Sequence, residues 1–160
     1  MNQIANNCSD NIGIELMKLH CSVGFFIGYV SNSMRNSLTR IFQENGYDIT
    51  HSQWLILMML WMKDGRRQNE LTELVYKEKT TITRLIDNME KKNLLIRVPD
   101  LQDKRNKYVY LTNSGKELRD KLTPMVLNLN KKASEGLSDE ELVNLKSVLT
   151  KIHNNLIDES

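Results

Sequence analysis

Apolar side chains recur along most of this chain every three or four residues, the spacing of one face of an α-helix. The spacing predicts a long helix over residues 12–43 that ends near Gly46. Residues 54–62 are apolar on every side and predict a buried helix. Helices are also predicted after Thr112 or Ser114, with a kink or break at Pro124, and after a capping box that begins at Ser138.

The middle of the chain reads as two short helices followed by a hairpin. The first helix is predicted over residues 69–75 and the second over residues 80–92. In the second helix Ile82, Leu85, Ile86 and Met89 form one apolar stripe, so that face is expected to be buried. The opposite face is polar, which is how a recognition helix meets the major groove of DNA. An ordinary amphipathic surface helix is the alternative, which the neighbouring elements make less attractive.

The hairpin is predicted to be a wing. Its first strand stops at Pro99, its loop is rich in cations, and its second strand alternates apolar and polar positions up to Leu111. A cationic loop of this kind suits contact with phosphates or with a minor groove. A solvated surface hairpin is the alternative interpretation.

Candidate DNA contacts follow from these positions. The N-terminal end of the second helix is expected to read the major groove through Arg84 and nearby threonines. Lysines should contact phosphates, and Arg105 should enter the minor groove with Asp103 orienting its guanidinium. The full predicted set is Lys79, Thr80, Thr81, Thr83, Arg84, Lys91, Asp103, Lys104, Arg105 and Lys107.

With these motifs in their order and spacing, the chain resembles the MarR family of bacterial transcriptional regulators over nearly its whole length. The matching segments are 71–74, 80–97, 100–105 and 111–115, with residues 49–57 resembling the family's second helix. One departure is Asn93, where the family usually has glycine. Asparagine tolerates the left-handed turn at a helix end next best, so the change is expected to be conservative.

We therefore expect a mainly α protein: a winged helix-turn-helix with long N- and C-terminal dimerisation helices and a two-stranded wing. Residues 1–10 are predicted to be a flexible tail, 11–46 and 112–158 dimerisation helices, and 47–111 the DNA-binding domain. A homodimer would place two recognition helices about one DNA turn apart, on a pseudo-palindromic operator. Purely intramolecular packing of the terminal helices is the alternative.

Charge and composition refine this expectation. The net charge is only +2, but residues 63–107 carry 12 Lys/Arg against 8 Asp/Glu, which fits a DNA-binding face. No secretory signal is recognised, and the apolar residues 23–30 are too few to span a membrane. The expected location is the bacterial cytoplasm, and the expected partners are double-stranded DNA and a second copy of the chain.

No catalytic motif, metal-ligand cluster or cofactor fingerprint is found, so we expect neither an enzyme nor a metal or cofactor. Some members of the family sense peroxides through a cysteine on the first helix, but that position falls on Phe26 here. The supporting tyrosine positions fall on Arg40 and His51. A redox switch using Cys21 remains an alternative, with a buried, inert thiol as the simpler interpretation.

The family commonly binds small aromatic effectors between its dimerisation helices and its DNA-binding lobe. The residues expected to line that crevice are Met17, His20, His51, Trp54 and Met58. Plain core packing explains each of them equally well. A winged-helix adaptor that binds protein and never DNA is the remaining alternative, although it would have no reason to keep three cations in the wing.

Overall fold

The structure is a computed structural model that describes residues 22–75, 79–100 and 106–157. Nothing is described of the side chains of Leu74 and Lys79. The described elements are α1 (Val23–Glu44), α2 (His51–Met62), β1 (Arg66–Arg67), α3 (Gln68–Leu74), α4 (Lys79–Lys91), β2 (Leu95–Pro99), β3 (Lys107–Leu111), α5 (Asn113–Ala133) and α6 (Asp139–Ile157). None of the described helices is long and apolar enough to cross a membrane.

The core lies between α2, α3, α4 and the sheet. The predicted stripe of α4 is confirmed, since Ile82, Ile86 and Met89 are fully buried and Leu85 is half-buried. α2 contributes three buried apolar residues and the buried amide of Gln53. The other large side chains that are fully buried are Phe42, Ile56, Leu57, Leu60, Leu71, Leu95, Leu122 and Val109.

The wing is confirmed as an antiparallel pair, and a short third strand extends it. Strands are ordered β1-β3-β2, with Leu95 opposite Leu111 and Pro99 opposite Lys107. The backbone N–H of Asp100 donates to the carbonyl of Asn106 (3.1 Å), which continues the ladder towards the tip. β1 consists of Arg66 and Arg67, which pair with Val109 and Tyr108 of β3. A strand of two residues carries no periodic signal, so the sequence does not predict it.

α1 begins at Val23, not near Ile12 as the spacing predicted. Ser22 has extended backbone angles and its hydroxyl accepts from the backbone N–H of Phe25 (3.2 Å), so it is the N-cap. Residues 12–21 lie outside the described part of the chain. The predicted end is confirmed, because Gly46 has a φ of 83° and the following N–H bonds back to Phe42.

α4 ends in the left-handed turn expected at Asn93, whose φ is 53°. The N–H of Asn93 donates to Glu90 and that of Leu94 donates to Met89, which is the Schellman pattern. The chain then returns to this turn after the wing. Thr112 donates from its hydroxyl to the Asn93 carbonyl (2.7 Å) and accepts from the N–H of Gly115 (3.1 Å), so Thr112 caps α5.

The chain divides into two compact units within α5: the first ends at Leu122 and the second begins at Thr123. The sequence predicted a kink or a break at Pro124; α5 remains helical through this residue, so it does not break there. In the second unit the predicted capping box is confirmed, with reciprocal hydrogen bonds between Ser138 and Glu141 (2.7 and 3.3 Å). These bonds lower the pKa of Glu141.

Candidate nucleic-acid interface

One face of α4 is free of the core and carries the polar residues predicted to read DNA. Thr80, Arg84 and Lys91 are exposed opposite the buried stripe, and Thr81 is exposed on the flank of this face. Thr83 is half-buried, and its hydroxyl accepts from Gln68 Nε2 (3.0 Å). Thr83 therefore also holds α4 against α3, a role that the sequence did not indicate.

Strand β2 is fastened to α4 by Arg97. Its backbone N–H and its Nε donate to the two carboxylate oxygens of Glu90 (2.8 and 3.0 Å), and its Nη2 bonds both Glu90 and Asp87. The hydrogen bond with Glu90, followed by that with Asp87, raises the pKa of Arg97 against the effect of burial. Asp87, on the polar side of α4, takes part in this link, which sets the wing relative to the recognition helix.

The start of α2 is joined to α4 in a similar way. Gln53 Nε2 donates to Asn88 Oδ1 (2.7 Å), and Lys92 pairs with Asp48 (2.7 Å). A cleft of about 470 Å³ lies beside these links. Its lining residues are Asp48, Thr50, Gln53, Thr81, Arg84, Leu85, Asn88 and Lys92.

Arg67 adds a cation that the sequence analysis missed. Its guanidinium lies 5.6 Å from the centroid of the Tyr108 ring, donates to the Tyr108 hydroxyl (3.1 Å) and pairs with Asp100 (3.6 Å). The hydrogen bond to Tyr108 raises the pKa of Arg67. Arg67 shares a polar cleft of about 280 Å³ with Arg97 and Lys107, between α3 and the wing. The two consecutive arginines at 66 and 67 were the sequence signal that could have indicated this additional cation.

Several predicted residues cannot be placed. Asp103, Lys104 and Arg105 of the wing tip lie outside the described residues, as do Met17 and His20. Lys79 begins α4, but its side chain is not described. Lys107 is exposed at the start of β3.

The expected effector residues that are described all belong to α2. The rings of His51 and Trp54 lie 5.8 Å apart, and Met58 follows one turn later; all three are half-buried. His51 also lines an open groove of about 250 Å³ beside Arg35, Thr39 and Arg40 of α1. Within the ranges that the structure describes, no cluster of three or more His, Cys, Asp or Glu side chains could hold a metal ion.

The structure is a winged helix-turn-helix, a fold typical of DNA-binding transcription regulators. α2, α3 and α4 pack together, α4 keeps one free face, and β2 and β3 form the wing. Residues 49–107 match the MarR family model. The chain is 28% identical over 136 residues to the organic hydroperoxide resistance transcriptional regulator of Bacillus subtilis (strain 168), which covers 83% of this chain and 88% of that protein.

Solved structures agree with this relationship. The crystal structure of the S. aureus MepR–DNA complex matches with a TM-score of 0.77 and 28% identity, over 84% of this chain and 98% of that one. The transcriptional regulator SlyA matches with a TM-score of 0.75 and 26% identity, over 83% and 92% of the two chains. The chain is therefore similar to the MarR family, whose members are transcription regulators and not enzymes.

Proposed function

We propose that the protein is a homodimeric repressor that binds a pseudo-palindromic operator in double-stranded DNA. The observation that carries this proposal is the division of α4 into a buried apolar stripe and an exposed face that holds Thr80, Thr81 and Arg84. A helix held in this way presents its N-terminal side chains to base edges in the major groove. The DNA complex of the related MepR supports DNA as the partner. This partner implies action in the cytoplasm of a bacterium.

Base reading is assigned to Arg84, whose guanidinium can donate two bonds to one guanine, with the threonines beside it. Phosphate contacts are assigned to Lys79, Lys91, Lys104 and Lys107. Arg105 is assigned to the minor groove, with Asp103 orienting it. The Arg97 link supports these assignments, because it lets the wing and the recognition helix bind as one rigid surface.

Apolar side chains exposed on the terminal helices support the homodimer. No described residue of α6 is buried, although the helix is amphipathic. Its apolar residues that remain between 39% and 70% exposed are Val143, Leu145, Val148, Leu149, Leu156 and Ile157. At the start of α1, Val23, Phe25, Phe26, Ile27, Tyr29 and Val30 are also exposed. Apolar surface of this extent is typical of an interface between proteins.

Light scattering tests the dimer. Replacing Leu145 and Leu149 by Glu should convert a dimer to a monomer, because charged residues would be buried in the interface. Lys146→Glu is the control, since this residue is exposed on the same turns. A dimer that survives the double substitution would exclude this face of α6 from the interface.

An effector is the regulatory part of the proposal. A small aromatic ligand bound near His51, Trp54 and Met58, with Met17 and His20, would release DNA if it bound more tightly to a dimer with mis-spaced recognition helices. The tilted contact of His51 with Trp54 supports an aromatic ligand. Equal affinity of an aromatic acid for free and DNA-bound protein would contradict this mechanism. Thiol sensing by Cys21 stays an alternative to this proposal, because that residue lies outside the described ones.

DNA titration of two variants tests whether Arg84 reads bases while Lys107 contacts phosphate. Arg84→Ala should remove the preference for the selected operator over random duplex, because base reading is lost. Lys107→Ala should weaken both duplexes alike and flatten the dependence of log affinity on log salt by about 0.9 for each lost contact. Lys121→Ala, an exposed lysine of α5 outside the winged segment, is the control. Arg84→Ala that keeps full operator preference would overturn the reading role.

A further inference from the structure

Gln53 is the one buried polar residue among the described core residues, with 3% of its surface exposed. It lies in the first turn of α2 and forms a capping box with Thr50. The backbone N–H of Thr50 donates to Gln53 Oε1 (3.0 Å), and the Thr50 hydroxyl accepts from the backbone N–H of Gln53 (3.3 Å). This box fixes the orientation of the Gln53 amide, because a backbone N–H can only donate and therefore must face the amide oxygen.

The fixed amide of Gln53 in turn orients the side-chain amide of Asn88. With its oxygen committed to Thr50, Gln53 presents Nε2 to α4, and this nitrogen lies 2.7 Å from the side-chain amide of Asn88. Nε2 can only donate, so the Asn88 atom that faces it is Oδ1. The Nδ2 group of Asn88, with two N–H donors, is consequently turned away from the core. Within the described ranges no acceptor of this chain bonds to it.

Asn88 lies on the exposed side of the recognition helix. It is one turn beyond Arg84 and two turns beyond Thr81, and all three line the same cleft. Base reading belongs to the N-terminal turns of such a helix. A donor on its third turn, beside an arginine, suits an anionic acceptor of the DNA backbone.

We propose that Asn88 donates a hydrogen bond from Nδ2 to a DNA phosphate oxygen, and that Gln53 is the positioning residue that holds the Asn88 amide in this orientation. The inference rests on the proposed function, because it requires a bound duplex. It adds a contact that depends on a residue buried in α2. The amide is neutral, so the contact contributes a directed hydrogen bond and releases no counterion of its own.

Substitution of Gln53 by Glu isolates the orientation. A glutamate preserves the capping box with Thr50, since Glu is a usual residue at this position. The ionised carboxylate can only accept, so Asn88 must turn Nδ2 inward and present Oδ1 to the phosphate. Because burial raises the pKa of a carboxyl group, affinity is measured as pH is raised from 8, and the loss should grow as the glutamate ionises. Operator affinity should fall about tenfold, the effect of losing a hydrogen bond to a charged group.

A double-mutant cycle separates this effect from the new charge and from any change in the fold. Asn88→Ala alone should also lower affinity about tenfold. Gln53→Glu in the Asn88→Ala background should change affinity less than about twofold, because no amide remains to be turned. Asn88→Asp keeps the acceptor for Gln53 but points a carboxylate oxygen outward, and should bind more weakly than Asn88→Ala. Thermal melting of each variant verifies folding.

The outcomes are distinct. A strong effect of Gln53→Glu that vanishes without Asn88 supports the proposal. An equal loss in both backgrounds would show that Gln53 acts through charge or fold and overturns it, as would an Asn88→Asp protein that binds like the parent. If the parent binds the operator normally in these cases, the proposed function stands. A parent that binds no duplex overturns both.

Discussion

Replacing Gly115 by alanine perturbs the point where the chain returns from the wing to begin α5. A Cβ built on Gly115 would lie 2.0 Å from the carbonyl oxygen of Leu94 and 3.2 Å from Leu111 Cδ2. The obstructing atom is backbone, and it cannot rotate away. The carbonyl must therefore move by about 1 Å before the contact reaches 3.0 Å, the shortest that real Cβ atoms show.

The cost follows from what that movement disturbs. Forcing an extra methyl into a packed position costs about 1–3 kcal/mol. The Leu94 carbonyl also accepts from the N–H of Thr112 (3.1 Å), a bond whose loss costs about 1 kcal/mol. Alanine would otherwise favour the helix by about 1 kcal/mol. We expect Gly115→Ala to lower the free energy of unfolding by about 1–3 kcal/mol.

Urea unfolding at fixed protein concentration measures this difference. Trp61 is a local probe, because its indole N–H donates to the carbonyl of Gly115 (2.9 Å), and Trp54→Phe removes the other tryptophan signal. Ser114→Ala, exposed on the same turn, should change stability by less than about 0.5 kcal/mol. A Gly115→Ala protein as stable as that control would refute the close approach of α5 to Leu94.

The remaining predictions concern the helix ends and the wing. Arg97→Lys should lower the free energy of unfolding by about 1–3 kcal/mol, because one ammonium group cannot replace the forked hydrogen bonds of the guanidinium. In a double-mutant cycle measured by urea unfolding, the effects of Arg97→Lys and Glu90→Gln should be strongly non-additive. Asn93→Ala should cost about 1 kcal/mol of unfolding free energy and Asn93→Gly far less, since φ is positive; equal effects would contradict the left-handed turn. The lowered pKa of Glu141 means that its capping contribution is present above its ordinary pKa of 4.5 and is lost as pH falls through the lower folded value. Acid titration of helicity should show this loss, and Glu141→Gln should lack it.

Features encoded by neighbouring residues could be predicted from the sequence. The stripe that buries Ile82, Ile86 and Met89 repeats within one helix, and the left-handed turn at Asn93 follows from its place at a helix end. The capping box at Ser138 is likewise local. Each depends on residues within about two helical turns, where spacing alone carries the information.

Features that join distant residues could not be predicted in this way. β1 is recognised only by its pairing with β3, and Gln53 meets Asn88 across 35 positions of sequence. The engagement of Asp87 by Arg97 likewise depends on where the wing folds back. The helical spacing continues through Ser22, so it gave no sign that α1 begins there.

Selection of bound DNA from a random duplex pool at about 0.15 M salt tests the central claim most directly. The account predicts enrichment of an inverted repeat with half-sites about 10 bp apart, one for each recognition helix of a dimer. Repeating the selection with Arg84→Ala should lose the motif while retaining weak, salt-sensitive binding. Recovery of no motif by the parent protein would contradict sequence-specific DNA binding.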